Sequence, residues 1–109
     1  MSDLLNQQCS SNASLLTQQA TEKYLSELSS EWTLSDDKKS INRTFKFKNY
    51  YETMAFVNVV AMVAHQQDHH PDMTVSYNTC RIEYSTHSVG GLSENDFICA
   101  EKTSKTVKL

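Results

Sequence analysis

The chain reads as an α+β protein: a two-layer sandwich in which a four-stranded antiparallel sheet carries three helices packed on one face, in the order α-β-β-α-β-β-α. Three observations lead there. Ile41, Phe45 and Phe47 alternate with Asn42, Thr44, Lys46 and Lys48, as a strand wet on one face requires. Met73, Val75 and Tyr77, then Cys80, Ile82 and Tyr84, repeat that period of two on either side of the turn residue Asn78. Between these strand pairs lies the stretch NYYETMAFVNVVAMVAHQQDHHP (49–71), which reads as one long helix.

Taken in order, residues 1–16 (MSDLLNQQCSSNASLL) are rich in Ser, Asn and Gln and are expected to form a flexible N-terminal arm, and deletion of residues 1–14 is expected to change little. Residues 17–109 form a single domain. Ala20, Tyr24, Leu25 and Leu28 set helical spacing across 17–28, which Ser29-Ser30 breaks. Trp32 and Leu34 begin the first strand, 35–39 is a polar turn, and 40–48 is the second strand. Asn49 is placed to cap the long helix, since its side chain can accept from a first-turn amide. Met54, Phe56, Val57, Val59, Val60, Met62 and Val63 spread apolar surface almost around that helix. Such a helix must be covered on more than one side, so a homodimer or homotetramer is expected. Pro71 is expected to stop it and to turn His70 away from the heading of His69. His87 has the parity of the polar strand face if the alternation continues to that point, and Gly90-Gly91 ends that segment. Ser93 with Asp96 makes a variant capping box for a last helix carrying Phe97, Ile98 and Ala100, and the tail TSKTVKL is expected to fray.

Composition narrows the function classes. A chain of 109 residues makes one domain, and a net charge of −3 gives no reason to expect a nucleic-acid partner. No apolar run approaches a membrane span, and the N-terminus lacks a basic, apolar leader pattern. Cys9, Cys80 and Cys99 are odd in number and far apart, which argues against a disulfide framework or a CxxC zinc site. A reducing, cytoplasmic setting is expected.

The chemistry concentrates at the end of the long helix. His65, Asp68, His69 and His70 fall within six residues. A helix carboxyl end favours cationic imidazole, and imidazole exchanges protons near neutrality, so this is a proton-transfer site in outline. His65 and His69 have the spacing of HExxH zinc sites, but the sequence between them is Gln66-Gln67-Asp68 and lacks the catalytic Glu, so no metal is expected. Ser85, Ser88 and Ser93 lie near His87 without a nucleophile-elbow motif. Gly90-Gly91 alone signals a turn rather than a phosphate cradle.

The stretch from Trp32 to Ala100 resembles the pterin-4a-carbinolamine dehydratases. The residues that carry it are FKFKNYYETMAFVNVVA, Asp68-His69-His70-Pro71, Tyr77-Asn78, Ser85-Thr86-His87 and Gly91-Leu92-Ser93-Glu94-Asn95-Asp96. The resemblance implies a lyase without cofactor that removes water from 4a-hydroxytetrahydropterin, giving quinonoid dihydropterin during pterin recycling for an aromatic amino acid hydroxylase. It implies His69, His70 and His87 as the catalytic residues, with Asp68, Thr86 and Asp96 binding substrate. Asp68 either orients an imidazole or caps the helix, and Asp96 either bonds the pterin or completes its cap. His65 stands where many relatives carry an acidic residue and is left out of the catalytic set. Vertebrate relatives also serve as dimerisation cofactors of a homeodomain transcription factor, so a non-catalytic oligomerisation module is the alternative.

Overall fold

In a computed structural model, residues 3–106 are described. The elements are α1 (Gln18–Glu27), β1 (Thr33–Leu34), β2 (Ile41–Lys46), α2 (Tyr50–Gln67), β3 (Asp72–Val75), β4 (Thr79–Tyr84) and α3 (Glu94–Lys105). Short 3₁₀ turns lie at Leu4–Asn6 and His87–Val89. The order of helices and strands is the one the sequence implies, and the four strands pair antiparallel in the spatial order β1-β2-β4-β3.

Register follows from the alternation. Phe45 faces Cys80 and Ile41 faces Tyr84 across β2 and β4, so their side chains share the covered face. All four are buried, together with Ile82, against Trp32 and Phe56. Arg43, on the same row, keeps its charge partnered: its guanidinium lies over the Phe45 ring and reaches Glu31 at 2.9 Å and the Ser104 hydroxyl at 3.1 Å.

Both expected helix caps form. Asn49 Oδ1 accepts from the Glu52 amide at 2.9 Å, and Ser93 and Asp96 close a capping box on α3. The inner face of α2 buries Thr53, Phe56, Val60 and Val63, while Tyr51, Val59 and Met62 stay exposed. No helix among the described residues is long and apolar enough to cross a membrane.

Four local expectations need correction. The long helix ends at Gln67, before Pro71, because Asp68 turns left-handed (φ 51°) and its amide and that of His69 close back on the last turn. Aspartate tolerates that conformation better than most residues. His87 leaves the strand alternation for a 3₁₀ turn closed by Gly90 at φ 71°. Thr103–Lys105 belong to α3, with Thr103 buried, so this part of the tail is helical; residues 107–109 lie outside the described residues.

The fourth correction is the arm. Its described part, from Asp3, is packed rather than loose, with Leu4 only 1 % exposed in the core. The Leu16 amide donates to the Leu92 carbonyl at 2.9 Å, and Gly91 leaves space where Leu15 approaches. A few apolar anchors in a polar segment suffice for docking when the body offers matched partners. Leu4→Ala removes a fully buried side chain, a change that typically costs 2–5 kcal/mol. We expect it, and deletion of residues 1–14, to lower the melting temperature by more than about 5 °C; a calorimetric scan with an unshifted midpoint contradicts the packed arm.

Candidate functional site

The site grows from the amino end of α3. Asp96 stands at the third helical position with no exposed surface, and both carboxylate oxygens are engaged. Oδ2 accepts from the Ser93 amide at 2.9 Å and from the Thr86 hydroxyl at 2.8 Å. The Thr86 and Ser93 hydroxyls also lie 2.7 Å apart. Oδ1 faces His69 Nε2 at 2.7 Å, and the His69 side chain is 12 % exposed. The left-handed turn at Asp68 aims His69 back toward α3, since the imidazole follows directly after it. The Tyr84 ring lies parallel to the imidazole, 6.0 Å between centroids at 11°.

Electrostatics at this pair pull in opposite directions. Burial is the largest single influence on His69 and disfavours the imidazolium. The hydrogen bond and charge of Asp96, helped by Cys9 and Asp68, together outweigh it and hold the group above the ordinary imidazole value. Burial pushes the Tyr84 phenol far up, and the phenol hydroxyl is bonded to Thr103 at 2.8 Å. Tyr84 therefore offers a ring face, with its proton held in place.

Two clefts open on His69, and Asp68 and His69 line both. One, of about 310 Å³, is walled by Cys9, Ser10, Gln67, Thr86, Ser88 and Asn95. The other, of about 370 Å³, is walled by Ala61, Ala64, His65, His70, Pro71 and Met73. Of the residues singled out from sequence, His69, Asp96 and Thr86 are joined in one hydrogen-bonded network. His70 and Asp68 are exposed beside it, and Asp68 ends α2. His87 is exposed on its 3₁₀ turn and lines neither cleft. Asp96 completes its cap and holds His69 at once. His65 and His69 do not share a helix face, because the helix has ended between them. Among the described residues no group of three or more His, Cys, Asp or Glu side chains is arranged to hold a metal ion.

Sequence reasoning missed the arm residues Cys9 and Ser10 at the first cleft and Tyr84 beneath His69. Only alternation marked Tyr84, as a core strand residue. Nothing local marked the arm.

Fold and site together define an α+β domain built on an imidazole that a buried carboxylate holds at two clefts. The family model for pterin 4 alpha carbinolamine dehydratase matches residues 14–106. A protein of Nitrosomonas eutropha, provisionally named a pterin-4-alpha-carbinolamine dehydratase, is 58 % identical over 94 residues, which are 86 % of this chain and 81 % of that one. One from Legionella pneumophila with the same provisional name is 44 % identical over 107 residues, 95 % of each chain. The crystal structure of a transcriptional coactivator/pterin dehydratase from Brucella melitensis superposes with a TM-score of 0.80 at 31 % identity, over 85 % of this chain and 98 % of that one. A pterin dehydratase-like RuBisCO assembly factor of the alpha-carboxysome, 18 % identical with a TM-score of 0.59, shares the fold alone. The chain belongs to the pterin-4a-carbinolamine dehydratase family.

Asp96→Asn tests the pair directly. Removing one partner of a buried ion pair is costly, and we expect a loss of about 3 kcal/mol in urea unfolding. The pH dependence has a definite sign. Because the His69 pKa is raised on folding, its stabilisation is fully present below the unfolded value near pH 6.5 and is lost as pH rises through the higher native value. Histidine proton NMR should show His69 titrating above the ordinary imidazole value and falling in Asp96→Asn; an unmoved His69 resonance would contradict the coupling.

Proposed function

We propose that this protein is a 4a-hydroxytetrahydropterin dehydratase, acting in tetrahydropterin recycling for an aromatic amino acid hydroxylase. The observation that carries the proposal is His69, held by the buried Asp96 and opening on two clefts, in a chain of this family. The reaction needs two proton movements. The bond from C4a to the hydroxyl oxygen breaks as that oxygen gains a proton and leaves as water. N5 gives up its proton, and its electron pair completes the C4a=N5 double bond. Each transfer suits a group titrating near neutrality and typically contributes about 10²–10⁴-fold.

In this proposal His69, His70 and His87 move the protons, and no cofactor takes part. Asp96 acts through His69: it is a positioning residue that fixes the ring and favours its charged form. Thr86 steadies the same carboxylate, and Asp68 stands at the cleft mouth, within reach of a polar substrate edge. Tyr84 supports the imidazole from below.

The chain also acts as a dimer or tetramer in this reading. Support comes from the exposed Tyr51, Val59 and Met62 on the outer face of α2. A 12.4 kDa species in sedimentation at micromolar concentration would refute assembly.

Decay of freshly generated 4a-hydroxytetrahydropterin, followed with and without the protein, tests the activity. His70→Ala and His87→Ala should each lower kcat/KM by roughly 10²-fold or more. The double variant should lose less than the product of the two, since both act on one transition state. His65→Ala should be nearly silent, and prolonged chelation should leave the rate unchanged. Stoichiometric metal lost together with activity would replace proton transfer by a metal mechanism.

A further inference from the structure

Cys9 and Cys99 lie at opposite ends of the sequence, yet their sulfurs are 3.4 Å apart. The contact is held from both sides. Cys99 is fully buried on α3 and points its thiol toward the His69 carbonyl at 3.9 Å. Cys9 is half-buried, on the irregular part of the arm, and lines the cleft in front of His69. Three hydrogen bonds clamp the arm here: the Cys9 amide donates to Gln67 Oε1 at 2.8 Å, the Ser10 amide donates to Asn95 Oδ1 at 3.0 Å, and Asn95 Nδ2 donates to the Ser10 carbonyl at 2.8 Å. Asn95 and Cys99 stand one turn apart on α3, so a single helix face sets both the clamp and the second sulfur.

We propose that Cys9 and Cys99 are an oxidation site, forming a reversible disulfide that staples the N-terminal arm to α3 beside the His69 cleft. The sulfurs need to close by only about 1.4 Å to reach bonding distance. The arm between the clamp and α1 has no regular structure to resist that shift.

The two thiols are unequal in the way such chemistry needs. The Cys99 thiol beside it, and the charge of His69, lower the Cys9 pKa against the opposing effect of burial. The thiolate is the nucleophile, and Cys9 is the one of the two that solvent reaches. A hydroperoxide serves as oxidant. Cys9 sulfur attacks the peroxide oxygen, the O–O bond breaks, and Cys9 becomes a sulfenic acid while an alcohol leaves. Cys99 sulfur then attacks the sulfenic sulfur. The S–S bond forms, the S–O bond breaks, and the Cys99 proton leaves with that oxygen as water. Two thiols are oxidised by two electrons and one peroxide is reduced.

The test uses the full-length reduced protein and stoichiometric tert-butyl hydroperoxide, and its readouts do not depend on the enzymatic proposal. Intact mass should fall by about 2 Da, peptide mapping should join Cys9 to Cys99, and dithiothreitol should reverse both. The crosslink closes a loop of about 90 residues, so the oxidised form should melt at least about 5 °C higher. Cys9→Ser should abolish the mass change and the melting shift while keeping the fold. Cys99→Ala should leave a Cys9 sulfenic acid that dimedone traps. A linked dimer, a sulfinic Cys9 with Cys99 still free, or three free thiols after treatment would each overturn the proposal.

Discussion

One buried carboxylate joins the parts of this molecule that the chain keeps apart. Asp96 takes its amide bond from Ser93, its hydroxyl from Thr86 and its ring nitrogen from His69. Those three donors come from the start of α3, the segment leaving β4 and the turn leaving α2. A carboxylate without exposed surface would be costly if left unpaired. Here a backbone amide, a hydroxyl and an imidazole offset that cost together, so loss of any one weakens the other two. The same carboxylate that caps a helix through Oδ2 therefore fixes a candidate catalytic ring through Oδ1.

That coupling explains how much of the structure could be read from the sequence. Strands 41–46 and 79–84 were legible because a period of two over six residues is local information. Asn49 and the Ser93–Asp96 box were legible because capping is a contact over three residues. The end of α2 was not. Proline at position 71 permits a helix up to His69, but Asp68 turns left-handed instead and the His69 amide closes on the Ala64 carbonyl. His69, Thr86 and Asp96 were each legible as polar residues worth noting. That they bond to one another depends on three loops meeting, and no spacing in the sequence encodes that.

The arm shows the same limit from the other side. Composition describes its first sixteen residues as polar, and polar segments without a periodic face are expected to stay loose. Docking depends instead on what the body presents: a slot for Leu4, an Asn95 side chain that reads the backbone at Ser10, and a Leu92 carbonyl open to Leu16. Ordering the arm costs about 1–2 kcal/mol of backbone entropy per residue, so such spaced anchors must act together to hold it. Its middle then becomes the wall of a cleft, which gives the site residues from both ends of the chain.

His69, His70 and His87 differ in what holds them, and that difference bears on how such a site would work. His69 is held by a side-chain network: a carboxylate in front, a parallel phenol ring beneath and little contact with solvent. His70 is constrained through the backbone, between His69 and the fixed φ of Pro71, while its ring remains exposed. His87 rides a 3₁₀ turn that is pinned on both sides by Thr86 and Gly91, whose backbones exchange bonds at 2.7 and 3.4 Å. Among the described residues neither exposed ring has a side-chain hydrogen-bond partner. A fixed, charge-favouring imidazole together with two exposed rings would suit the proposed reaction, which must give a proton in one place and take one in another. Rigid placement of all three would gain orientation but leave little room for the substrate to enter.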